Sequence, residues 1–306
     1  MNLNTAMRSV RYITARVPWH VKIGAKLVLS RLPVDYGFWR RVGLFRLGDM
    51  DHPEYAFAVV EKHFSRAAGA REHEGGVVLE IGPGDSICSA MIAYAFGATA
   101  SYLVDTGQFA REDGKTYKRM AAYLSGQGCA VPRLAEPITM EGVLASCNAK
   151  YLTGGLASLR ALPKESVDFV WSHHVLEHIR RGEFVDVMRE VRRILRPEGV
   201  CSHTVDLKDN LCDALNNLRF SERIWESPVM ARSGFYTNRL RYSEMIDIFS
   251  RAGFVADVLE VKRWDALPTP REKLSDEFRR FSDEDLRVCE FDVLLRRSKD
   301  ARTGGS

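Results

Sequence analysis

The chain has 306 residues, 45% of them apolar and 27% charged, and a formal net charge of +4. That is the composition of an ordinary soluble globular chain, long enough for one large domain with extensions or two small ones, and so mildly basic a charge gives no argument for nucleic acid. The six cysteines (Cys88, Cys129, Cys147, Cys201, Cys212 and Cys289) include no C-x-x-C pair, which sets aside a disulfide framework or a zinc site in favour of reduced, mostly packed thiols in a cytosolic protein.

Residues 1–34 show no secretory signal peptide. They carry Arg8, Arg11, Arg16, Lys22, Lys26 and Arg31 and no acid, with Val10, Ile13, Val17, Trp19 and Ile23 at roughly helical spacing and a break at Pro18. A basic amphipathic segment of this kind can lie on an anionic membrane, keeping a cytoplasmic protein peripheral to its inner face. The competing reading is a helix pair packed on the domain with its charges in solvent, and it is preferred because helix amphipathicity usually means core packing. Pro33 to His52 reads as a connector, and Pro53 opens a helix to about Ala70, proline being favourable in a first turn. Residues 1–70 are thus read as a helical extension and 71–297 as the main domain.

The next stretch is Val77-Val78-Leu79-Glu80-Ile81-Gly82-Pro83-Gly84-Asp85-Ser86. A buried strand ends in an acid and turns through two glycines into a helix, so a ligand can approach the turn closely. The G-x-G-x-x-G of a dinucleotide site lacks its third glycine here, and the acids would repel a pyrophosphate. They suit a ligand with an ammonium, a sulfonium or free hydroxyls. Glu80-Ile81-Gly82-Pro83-Gly84 resembles the first motif of class I S-adenosylmethionine-dependent methyltransferases, with Ser86 where the fuller pattern has a glycine. The resemblance implies S-adenosylmethionine as cofactor, held by Glu80, Gly82 and Gly84.

Residues 86–104 carry no charge, but their serines, glycine and threonine split them into a helix (about 87–96) and a strand (about 100–104) rather than a membrane span. That strand ends at Asp105, 21 residues beyond Gly84. An acid at this distance is positioned to accept ribose hydroxyls, and in the family this strand end carries the ribose-binding acid. A helix (about 110–125), a short helix over 139–147 and a third strand at Lys150-Tyr151-Leu152 follow. Gly154-Gly155-Leu156 is a turn near where the family holds the adenine.

Ser166-Val167-Asp168-Phe169-Val170-Trp171-Ser172-His173-His174-Val175-Leu176-Glu177-His178 reads as a strand ending at Ser172 and a following turn. Phe184 to Leu195 is an amphipathic helix, Pro197-Glu198-Gly199 breaks it, and Val200 to Val205 is a fifth strand. This order closely resembles the fourth and fifth strand region of the same methyltransferases. Together with the alternation of strands and helices, it implies a Rossmann-like, seven-stranded, mostly parallel sheet with helices on both faces. His174 and His178 are spaced like a metal pair, but Glu177 is out of the zincin order and no third ligand is evident, so no metal is expected.

Ligands of such sheets bind beyond the carboxyl ends of the strands. Glu80, Asp105, Ser172, His173, His174, His203 and Asp206 all lie at or near such ends. Ser172 joins the cofactor candidates; His173, His174, His178 and His203 compete as the base for a hydroxyl acceptor. A substrate-side insertion spans about 207–237. After it, Asn238-Arg239-Leu240-Arg241 and Asp206 are substrate candidates, since arginines grip phosphate or carboxylate. A helix ending near Gly253, a strand over 254–262, a charged helical stretch over 271–286, a last strand over 288–295 and a disordered tail over 298–306 complete the chain.

His203-Thr204-Val205-Asp206-Leu207 and Asn238-Arg239-Leu240-Arg241 look like a bacterial subgroup found with polysaccharide-biosynthesis glycosyltransferases. The resemblance implies O-methylation of a glycan or other small-molecule acceptor. The alternatives are a catalytically silent binding protein on the same fold and a nucleic-acid methyltransferase, the latter disfavoured by the lack of a basic stripe beyond residues 1–34. The sequence gives no oligomeric state.

Overall fold

A computed structural model describes residues 20–21, 23–24, 49–69 and 75–298. The expectations for most of residues 1–34, for the connector before residue 49 and for the tail from 299 lie outside the described residues. Two compact units are present among the described residues, one formed by those within 49–206, 243–261 and 291–298, the other by 20–21, 23–24, 207–242 and 262–290.

The larger unit follows the expected alternation. Helix α1 (Pro53–Ala68) precedes β1 (Gly76–Ile81), α2 (Cys88–Ala95), β2 (Ala98–Val104), α3 (Gly114–Gly126), α4 (Met140–Ser146), β3 (Ala149–Leu152), α5 (Leu156–Ala161), β4 (Val167–His173), α6 (Arg181–Ile194) and β5 (Leu195–Asp206). Further on come α7 (Tyr242–Arg251), β6 (Phe254–Arg263) and β7 (Val288–Arg297). The seven strands run in the order β3-β2-β1-β4-β5-β7-β6. The pairs β1–β2, β1–β4, β2–β3 and β4–β5 are parallel. The strand order reverses between β1 and β4, the kind of switch point at which open α/β sheets open a crevice.

Helix α1 forms because Pro53 occupies its first turn and its buried positions, Ala56, Val59, Val60, His63 and Ala67, recur at helical spacing. All of these but His63 join a core with Val78, Ile87, Met91, Leu103, Phe169 and Trp171. Burying each larger aliphatic contributes about 1.5–3 kcal/mol. Asp113 caps α3 by accepting the Lys115 and Thr116 amides. The fifth strand starts at Leu195, earlier than the Pro-Glu-Gly break predicts. Asp168, at the start of β4, accepts the Val77 amide at 2.7 Å and pairs with Arg196 at 2.8 Å, which fixes the entry of both strands.

The smaller unit has two cores of its own, one around Trp225, Phe235 and Tyr236, the other around Leu215, Leu218, Phe278 and Leu286. The region 271–286 is not one helix but three short helical turns, Arg271–Lys273, Asp276–Arg279 and Asp283–Leu286. Serines recur at 275 and 282 as N-caps and divide it. The cysteines are all free thiols; Cys88, Cys147 and Cys201 are buried and Cys212 is exposed. Among the described residues no helix is long and apolar enough to cross a membrane.

Candidate active site

The site begins where β1 stops. Glu80 is buried beneath the turn, and the Ser89 hydroxyl donates a hydrogen bond to its Oε2. Burial pushes the carboxyl up to about 8, against the Ser89 hydrogen bond and with the Asp105 charge adding to the rise. The chain then reverses at Gly82, whose φ is +74° and whose amide donates to the Val104 carbonyl at 2.8 Å. A Cβ here would lie 2.6 Å from both methyls of Val175, so the turn requires glycine on space as well as on conformation.

Asp105 ends β2 and faces this turn. Its Oδ2 accepts the Gly84 amide at 3.2 Å and its Oδ1 accepts the Thr106 amide at 2.7 Å. Burial raises its carboxyl, and the two amides oppose that rise. The Asp105 carbonyl accepts the Gly155 amide at 2.8 Å, which ties the turn after β3 to the same place. Tyr151 braces the neighbouring loop: its hydroxyl accepts the Phe109 and Ala110 amides at 3.1 and 3.3 Å and donates to the Gly107 carbonyl at 3.0 Å. The sequence reading did not single out Ser89, Val175 or Tyr151, and only Ser89, one turn into the helix after the motif, carried a local signal.

The histidines divide into different environments. His203 is fully buried, and its Nδ1 lies 2.7 Å from the Ser172 hydroxyl, itself fully buried. Burial pulls His203 down to about 3, so it stays neutral. The parallel register Ser172–His203 sets both side chains on one inner face of the sheet. Ser172 and His203, a cofactor candidate and a base candidate from the sequence, thus pair with each other in the interior of the sheet. On the opposite face, His173 Nδ1 is 3.4 Å from Nε2 of the buried His63, whose Nδ1 is 2.8 Å from the Ser202 hydroxyl. His174 stacks on His173 at 4.2 Å and is held at φ +54°, an uncommon conformation for a non-glycine residue that tends to occur at functional sites. His178 lies exposed in a 3₁₀ turn, and Asp206 is half-buried at the end of β5.

Asn238, Arg239 and Arg241 belong to the smaller unit and are buried within it. Arg241 donates to the carbonyls of Leu207, Asp285, Leu286 and Val288 at 2.7–3.2 Å, which ties three segments of that unit together. The Arg239 guanidinium lies 5.3 Å from the Trp225 ring centre and 4.9 Å from that of Phe278, a cation–π sandwich. Asn238 caps its own turn by accepting the Leu240 amide at 3.0 Å. These contacts engage both arginines inside the unit, where the sequence expectation was a grip on phosphate or carboxylate. Among the described residues no group of three or more His, Cys, Asp or Glu is arranged to hold a metal ion.

The site's donor set fits S-adenosylmethionine. Two carboxylates, Glu80 and Asp105, flank a glycine turn where a Cβ would fill the space, which matches a ligand bearing an ammonium, a sulfonium and ribose hydroxyls. Residues 79–202 match the family model described as a methyltransferase domain. The chain is an enzyme, an S-adenosylmethionine-dependent methyltransferase, and S-adenosylmethionine is its cofactor.

No curated protein matches the chain. Among solved structures, the chain is similar to the YcgJ protein from Bacillus subtilis at 15% identity, over 80% of this chain and 99% of that one, with a TM-score of 0.41. It is similar to a SAM-dependent methyltransferase from Methanosarcina mazei at 13% identity, over 76% and 96%, TM-score 0.44. An arsenic(III) S-adenosylmethionine methyltransferase from Chlamydomonas reinhardtii matches at 17% identity, over 80% and 73%, TM-score 0.43. At such scores nothing about substrate or partner passes from these proteins to this chain.

Proposed function

We propose that the protein transfers a methyl group from S-adenosylmethionine to an oxygen of a glycan or other small-molecule acceptor. The observation that carries the cofactor half of this reading is the Asp105–Gly84 hydrogen bond beside the buried Glu80. In this reading Asp105 accepts the ribose hydroxyls, the Gly82–Gly84 turn lets the cofactor approach the backbone, and Glu80 supplies negative charge beneath the positively charged methionine end. The bound cofactor supplies an electrophilic methyl on a sulfonium. The chain's own part is to align the acceptor with it, which is where much of the acceleration of an in-line displacement resides. A hydroxyl acceptor also has to lose its proton, and of the four candidate histidines the positive-φ His174 and the exposed His178 fit that role better than the buried His203.

The glycan assignment rests on the phrases His203-Thr204-Val205-Asp206-Leu207 and Asn238-Arg239-Leu240-Arg241, which look like the subgroup accompanying polysaccharide-biosynthesis glycosyltransferases. The test has two stages. Titration calorimetry with S-adenosylhomocysteine should give saturable binding to folded, cofactor-stripped protein; no heat would sink the cofactor site. Incubation with labelled methyl donor and an oligosaccharide fraction should then label the sugars on oxygen, and labelling of nucleic acid alone would overturn the acceptor class.

A further inference from the structure

The face of the sheet covered by α1 holds a chain of three polar groups that the reaction as described does not use. His63, fully buried in α1, sits between the Ser202 hydroxyl of β5, 2.8 Å from its Nδ1, and Nδ1 of His173 at the end of β4, 3.4 Å from its Nε2. Trp171 packs against the His63 ring with centroids 5.1 Å apart. Around them lie Lys62 and Arg66 from the same helix, Asp292 from β7, which both cations pair with, and His174 stacked on His173, while His203 of β5 couples to His63 from the other face of the sheet.

The proton positions follow from what each group can do. Burial, followed by coupling to the His173 and His203 imidazoles and by the positive charges of Lys62 and Arg66, holds His63 well below the ordinary imidazole range. It is therefore neutral and carries a single ring proton. The Ser202 side chain is fully buried, and among the described residues its hydroxyl meets no polar group other than His63 Nδ1. A buried hydroxyl proton without an acceptor is costly, so Ser202 donates and His63 Nδ1 accepts. The His63 proton is then on Nε2, directed at His173 Nδ1. That nitrogen has to be the bare, accepting one, because a proton there would oppose the His63 N–H across 3.4 Å.

We propose that Ser202 and His63 fix His173 as the Nε2–H tautomer, so that His173 acts at the carboxyl end of β4 as a hydrogen-bond donor rather than a general base, with His63 as its positioning residue. Its role in the reaction rests on the methyltransferase reading above, where it removes His173 from the competition for the acceptor's proton.

The state is directly observable in the full-length protein. Two-bond proton–nitrogen spectra of ¹⁵N-labelled imidazoles, with His173 assigned by the signals lost in His173→Gln, should show Nε2 protonated and Nδ1 bare in both His63 and His173 of the wild type. In His63→Phe, which fills the space without a donor, His173 should lose its single tautomer and become a mixture. His173 protonated at Nδ1 in the wild type would overturn the proposal even if no variant folds, and so would an unchanged His173 tautomer in folded His63→Phe. Calorimetry with S-adenosylhomocysteine on the same sample separates the two ideas. Predicted tautomers without cofactor binding sink the functional reading alone, and normal binding with the reversed tautomer sinks the proton assignment alone.

Discussion

The Gly84 amide donates to Asp105 Oδ2 at 3.2 Å, joining two residues 21 apart in sequence across the first turn of the sheet. The bond aims a carboxylate into the cofactor site, and the lone pairs that neither the Gly84 nor the Thr106 amide takes can accept from a ligand. Hydrogen bonds to a charged group contribute about 1.5–3 kcal/mol. Asp105→Ala should therefore weaken S-adenosylhomocysteine binding roughly ten- to a hundredfold. Calorimetric titration reads this, and an unchanged affinity in folded protein would remove Asp105 from the site.

Glu80 gives the protein a pH signature. Its carboxyl is raised from 4.5 to about 8 in the folded state. Between those two values the native protein holds a proton that the unfolded chain has lost, so stability falls as pH rises through that window and levels off above it. The whole effect is on the order of a few kcal/mol. Thermal melts of the cofactor-free protein should show this decline, and Glu80→Gln should flatten it. A cationic ligand favours the ionised form, so cofactor binding near neutral pH should release a proton. Calorimetry in two buffers of different ionisation heat detects that release; identical heats would argue against Glu80 as the group beneath the ligand.

Gly82 and Val175 are linked by contact. An alanine at 82 meets both Val175 methyls at 2.6 Å and keeps a φ of +74°. The left-handed conformation alone costs about 1–2 kcal/mol. Gly82→Ala should destabilise the fold by more than that and abolish cofactor binding, whereas adding Val175→Ala should recover the steric part only. Urea unfolding of the single and double variants measures the coupling; strictly additive effects would mean that the turn does not depend on this contact.

Asp292 anchors α1 to the sheet. It is buried and accepts from Arg66 at 2.6 Å, from Lys62 at 3.1 Å and from the Thr204 hydroxyl. Burial alone would raise its carboxyl, but the hydrogen bonds from Arg66, Thr204 and Lys62 outweigh it and hold it well below the usual carboxylate range. The stability it contributes is present above the ordinary carboxylate pKa and is lost as pH falls below it. Asp292→Ala strands two cations and should cost about 3–5 kcal/mol. Urea denaturation at neutral pH tests this, and a loss below 1 kcal/mol, roughly that of a solvent-exposed pair, would show the cluster to be hydrated.

The candidate residues that sequence alone brings together are those placed by local structure. Glu80, Gly82 and Gly84 lie within one turn, and Asp105 follows at a spacing set by one helix and one strand. The β-strands were equally legible because each is an apolar run bounded by a turn. What sequence concealed was direction. Ser172 and His203 were read as cleft residues because they lie near strand ends, yet strand alternation and the β4–β5 register turn them towards each other in the interior. His63 gave no sign of a partner because His173 is 110 positions away. Arg241 reads as an anion-gripping charge in a polar phrase, and only the assembled carbonyls of Leu207, Asp285, Leu286 and Val288 reveal its partners within the fold.

The six free thiols amount to a built-in set of chemical clocks. Cys212 is open to solvent and should alkylate at once, whereas burial raises the Cys88 and Cys147 thiols to about 12 and keeps them from forming thiolates at neutral pH. Their labelling rates then report how often the surrounding structure opens rather than how reactive the sulfur is. Cys201 lies in the interior strand β5 and should label only as fast as the whole sheet unfolds, while Cys147, just past the last turn of α4 beside edge strand β3, should label sooner. Mass spectrometry of a timed maleimide reaction would thus rank the stability of separate layers of the fold in a single sample, with no engineered probe.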